Sequence, residues 1–98
     1  MPSEIGTATL DFGAHPGNNE ASVAVTGQTT ISATSKADAF VMADSTTIEH
    51  TANDHKYFPA LVGLSCGSVI DGVGFTIFAR STEKITGTWE IQWVWADV

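Results

Sequence analysis

The stretch TTIEHTANDHKYFP, Thr46 to Pro59, sets two histidines, two carboxylates, a lysine and a tyrosine within fourteen residues. If it coils into a helical turn, His50 and Asp54 share a face and His55 lies about 100° further round. A zinc site takes three or four ligands, and His-x3-Asp-His could supply three, so His50, Asp54 and His55 are the candidate metal ligands. Glu49 and His15 are distant candidates for a fourth. The alternative is a polar crossing between two strands, in which Asp54 hydrogen-bonds a histidine or caps a turn opened by Ser45 or Thr46, and Tyr57 and Phe58 begin the next strand. Short His/Asp clusters are weakly specific, and no fourth ligand lies close in sequence, so the crossing is the favoured reading and no metal or other cofactor is expected.

Other catalytic patterns fail on inspection. Asp11-Phe12-Gly13 has the kinase tripeptide, but no glycine-rich loop, lysine strand or catalytic loop accompanies it. The glycines of GNNEASVAVTG and DGVG lack the Lys-Ser/Thr of a phosphate loop. No Ser-His-Asp or paired-carboxylate spacing stands out. Cys66 is the sole cysteine, so no internal disulfide forms, and with no basic residue near it in sequence it reads as a small packed hydrophobe. The expectation is a protein without catalytic residues, not an enzyme.

Composition narrows the partners. Four Lys/Arg against eleven Asp/Glu give a net charge of −7, which argues against direct nucleic-acid binding, since that needs cations to displace phosphate counterions. It also speaks against an anionic lipid surface. No apolar run approaches the length of a membrane span, and the opening MPSEIGTATL lacks the basic-then-apolar order of a secretion signal. At 98 residues, 43% hydrophobic and 15% charged, the chain reads as one domain, residues 1–98, that covers part of its surface by assembly.

The elements that must carry these residues are strands. TWEIQWVW alternates with period two, placing Trp89, Ile91, Trp93 and Trp95 on one face and Glu90, Gln92 and Val94 on the other. GFTIFAR puts Phe75, Ile77 and Ala79 opposite Thr76, Phe78 and Arg80. ASVAVTG, ATLDFG, DAFVMA and ALVGLSC are further strand candidates. Clusters such as GAHPGNN, TGQT, SKAD, CGSVIDGVG and RSTEKITG read as turns. The fold expected is all-β: a small antiparallel β-sandwich, jelly-roll-like, of six to eight short strands.

Three tryptophans in one strand allow a sugar-binding platform, but burial is the ordinary fate of such a row. Trp89, Ile91, Trp93 and Trp95, with Phe75 and Ile77, are therefore expected in the core or a subunit interface. A glycan site would instead need an exposed aromatic beside Asp, Asn or Gln at a loop end, as GAHPGNNE with NDHKY could provide.

The VTGQ turn, the H-x3-DH segment from His50 to His55, GFTI at Gly74–Ile77 and the closing WVW together give a chain that resembles a family of small uncharacterised virion-associated structural proteins of tailed bacteriophages and prophages. The resemblance runs over nearly the whole chain and implies a virion component assembled in the bacterial cytoplasm. It supplies no catalytic residue. A capsid decoration or cement protein, acting as a homo-oligomer (a trimer favoured) against other virion proteins such as the major capsid or tail protein, is the leading expectation. A tail- or fibre-associated component, possessing a host-glycan-binding surface, is the alternative.

Overall fold

The computed structural model describes residues 3–14, 16–42, 47, 50, 54, 55, 58 and 62–96. Among them are six strands: β1 (Ser3–Asp11), β2 (Asn18–Val25), β3 (Lys36–Phe40), β4 (Val62–Ile70), β5 (Gly74–Ile85) and β6 (Thr88–Ala96). They form two three-stranded antiparallel sheets, β1–β6–β3 and β2–β5–β4, packed as a small β-sandwich. The winding is that of a jelly roll: the first strand pairs with the last and the second with the last but one, in opposite sheets. At the two corners β1 approaches β2 and β3 approaches β4.

The core follows from the alternation. Trp89, Ile91, Trp93 and Trp95 of β6 face Phe75, Ile77 and Ala79 of β5, and all are buried. Phe75 meets Trp93 edge-to-face across the two sheets, with ring centroids 5.6 Å apart. A buried indole must place its N–H, and each does so: Trp89 on the Thr86 carbonyl, Trp93 on the Thr7 carbonyl, Trp95 on Gln28 Oε1. Among the described residues no buried side-chain nitrogen or oxygen lacks a partner.

Two glycines let neighbouring strands approach within their sheets. A Cβ on Gly74 would lie 1.7 Å from the Val25 carbonyl oxygen, so only glycine brings β5 this near β2. Gly6 stands opposite Trp93, and a Cβ there would meet the indole at 2.4 Å. The bare backbone at Gly6 is what lets the ring lie over β1 and reach the Thr7 carbonyl.

Three local expectations are corrected. RSTEKITG is not a turn throughout: β5 runs on to Ile85, and Asn18↔Ile85 beside Glu20↔Arg80 shows that β5 bulges over Ser81–Lys84. Asn19 bridges the bulge by donating its amide to the Ser81 carbonyl. CGSVIDGVG likewise continues β4 to Ile70 through an irregularity at Ser68, where φ is +53°. Phe58 does not open a strand; it is helical, fully packed in the core, and β4 starts at Val62. Ser45, Thr46 and Tyr57 lie outside the described residues, as do His15 and Glu49.

Gly6→Ala should destabilise the protein by about 1–3 kcal/mol, the usual cost of forcing a side chain into a packed layer. Pairing it with Trp93→Phe, which shrinks the ring that the added methyl would strike, should cost less than the sum of the two single changes. Urea unfolding of all four forms measures this coupling, and strict additivity would contradict the contact.

Candidate functional site

β3 ends at Phe40, paired with Gln92, so among the described residues no strand lies along that edge of β6 between Thr88 and Ile91. The chain after β3 crosses this gap and supplies side chains where a ladder would be. Met42 N–H donates to Gln92 Oε1, and the Thr47 hydroxyl donates to the Thr88 carbonyl at 2.8 Å. His55, fully buried and in a helical turn with Asp54, accepts the Glu90 N–H on Nε2 at 3.0 Å. A ring nitrogen that accepts from an amide carries no proton, so His55 is the neutral tautomer with hydrogen on Nδ1.

His50 bonds the backbone just before β6. Its Nε2 donates to the Thr86 carbonyl at 2.8 Å, sharing that acceptor with the Trp89 indole. Its Nδ1 faces Asp54 Oδ2 at 3.4 Å, a long contact with the carboxylate half-exposed, of little energetic weight. Its ring lies flat on Trp89, with centroids 3.5 Å apart and planes 18° from parallel. Phe58 packs on Trp89 at 4.5 Å, and Phe12 on Phe58 at 6.2 Å.

The structure therefore brings the three proposed metal ligands together and turns them elsewhere. His50 Nε2 and His55 Nε2 both end on backbone groups. Among the described residues no three His, Cys, Asp or Glu side chains converge where a metal ion could sit. What the cluster does is chemical in a structural sense: it satisfies the backbone of β6 and roofs Trp89.

A second surface was not singled out as a site by sequence reasoning. On the outer face of β2–β5–β4 the register aligns Glu20 with Arg80 and Gly63, and Ser22 with Phe78 and Ser65. Phe78 is 42% exposed, an aromatic ring standing on the solvent side of the central strand. The Arg80 Nε lies 3.5 Å from Glu20 Oε1, both side chains largely in water. The small side chains on the flanking strands leave a shallow cleft of about 460 Å³ beside Phe78 and Arg80. A second shallow cleft, sharing Glu20 and Arg80 in its lining, is bordered by Asn18, Asn19 and Ser81. The alternation of GFTIFAR carries the signal for Phe78 and Arg80, since it places them opposite the core.

Cys66, on β4, packs against the core from a partly buried position. Burial, and secondarily the Asp38 carboxylate, push its thiol up to about 11. Among the described residues no helix is long and apolar enough to cross a membrane. Comparison with protein-family models, curated proteins and solved structures finds no match to this chain.

His55→Ala should cost about 2–4 kcal/mol, combining a small cavity with an orphaned Glu90 N–H. His55→Gln, whose carbonyl reaches near the position of Nε2, should recover part of that loss, while a chelator should leave the thermal midpoint of the wild type unmoved. Full recovery by His55→Leu would show instead that the site needs only volume.

The Cys66 thiol gives a pH dependence of definite sign. The folded chain holds a proton that the unfolded chain gives up in the ordinary thiol range, so this contribution to stability is full at lower pH. It should fade as the pH climbs through that range towards about 11. Urea midpoints at stepped pH should show the decline in the wild type and a shallower one in Cys66→Ala.

Proposed function

We propose that the protein is a bacteriophage virion component that works by assembly rather than catalysis, as a capsid decoration protein carried in homotrimers on the particle. The observation that carries this reading is on the outer face of β1–β6–β3. Antiparallel alternation ordinarily gives such a face to polar residues. Here Ile5 is 80% exposed, with Val94 directly opposite it on β6, and Phe40, opposite Gln92 on the same face, is 43% exposed. Neighbouring apolar side chains left in water on a small acidic chain favour a face that another protein covers. Lys36 and Asp38, on the same face of β3, offer charges of both signs beside it.

The histidine cluster supports the non-catalytic part of the proposal. The Nε2 atoms of both histidines bond backbone groups of Thr86 and Glu90 and the His50 ring stacks on Trp89, so these groups are engaged by the fold. A capsid position is favoured over a tail or fibre because the described strands close into a short sandwich, with nothing among them shaped as a shaft.

Sedimentation and capsid-binding measurements test the reading together. The wild type should sediment as a closed oligomer or bind purified phage capsids. Ile5→Asp with Phe40→Asp should remain folded, sediment as a monomer and lose capsid binding by roughly tenfold or more, a change of about 1.4 kcal/mol. A wild-type monomer that binds neither capsids nor tails would sink the proposal.

A further inference from the structure

The geometry points to a saccharide-binding site on the opposite face of the sandwich, along the outer surface of β2–β5–β4, built on Phe78, Arg80 and Glu20 and specific for neutral pyranose chains. It goes beyond the assembly proposal and uses other residues, so the two fail separately.

Three features converge here. The first is an aromatic ring set for stacking. Gly67 on β4 lies beside Phe78, where a Cβ would come 3.5 Å from the ring's Cε2. The ring passes beside bare backbone on that side and stays 42% exposed. A pyranose presents C–H groups on one face, and these pack on an aromatic ring as any apolar surface does.

The second feature is a paired donor and acceptor one step along the strand. Arg80 and Glu20 project from adjacent strands in register and sit 3.5 Å apart. A carboxylate accepts from sugar hydroxyls, and a guanidinium donates to their oxygens in a fixed fork, so the pair matches two neighbouring hydroxyls. Because the two charges offset each other within a chain of net charge −7, an uncharged sugar is favoured over an anionic one.

The third is room and length. Ser22 and Ser65 flank Phe78 with small polar side chains, and a second cleft that shares Glu20 and Arg80 with this one is lined by Asn19. Ser22 to Asn18 along β2 spans roughly 13 Å at strand rise, enough for a di- or trisaccharide. A covering protein is the weaker match, since small polar residues and an exposed ion pair surround Phe78.

The test is an amide-shift titration of the isotope-labelled full chain with maltotriose, mannotriose and galactotriose, with sialyllactose as the charged comparison. At least one neutral trisaccharide should move the amides of Ser22, Ser65, Phe78 and Arg80 saturably, with a Kd of about 1 mM for so open a site. Phe78→Ala should weaken that binding roughly tenfold while leaving the unfolding midpoint unchanged, as expected for one lost stacking contact on the surface. Ser65→Gln, which fills the cleft with Phe78 in place, should weaken it as well. The inference is overturned if no neutral trisaccharide saturates, if sialyllactose binds in preference, or if Phe78→Ala and Ser65→Gln both bind as the wild type does. Amide shifts at this face that track protein concentration would overturn it too, by assigning the surface to a second copy of the chain.

Discussion

Strand β6 sits in the middle of its sheet and needs hydrogen-bond partners along both edges. β1 supplies one edge along its whole length, from Thr88 to Ala96. β3 supplies the other only from Ala96 to Gln92. Below that point a buried backbone would carry orphaned donors and acceptors, each costing about as much as a lost hydrogen bond. The single bond from Glu90 N–H to His55 Nε2 answers this constraint, with the Thr47 hydroxyl and His50 beside it. A side chain can do the work of a strand here because imidazole offers an acceptor at the end of a flat, packable ring.

The packing of this end of the sandwich follows from that placement. Once His55 is drawn into the edge, His50 falls over the indole of Trp89 and Phe58 packs on the same ring. Phe12, just past the end of β1, then meets Phe58 and completes a run of rings that seals the sandwich. His50, His55 and Phe58 thus act as one unit around Trp89, and Asp54 stays at the water side.

Much of the architecture could be read from residue order alone, because burial on one face writes period-two alternation into TWEIQWVW and GFTIFAR. Those segments placed the core residues of β5 and β6 correctly. Strand ends were less legible. Ser81–Lys84 and Ser68 look like turn chemistry, and they are irregular in backbone, but the partner strands hold the chain in the sheet on either side. The task of His55 could not be read at all. It depends on where β3 stops relative to β6, a fact of register between segments far apart in the chain. The cleft beside Phe78 was hidden for the same reason, since its width comes from Ser22 and Ser65 on two other strands.

The jelly-roll winding has a kinetic consequence. Leu10 pairs with Trp89 and Ser3 with Ala96, so β1 cannot enter its sheet until nearly all of these strands exist. Loop-closure entropy must be met before such remote pairs reward it, which puts folding in the slow range for so short a chain, about milliseconds to seconds. At a synthesis rate of about 5–20 residues per second, β1 to β5 emerge with the tryptophan strand still missing. During that interval the inward face of β5 lacks the tryptophan strand it packs on, and a chaperone would find its binding surface there.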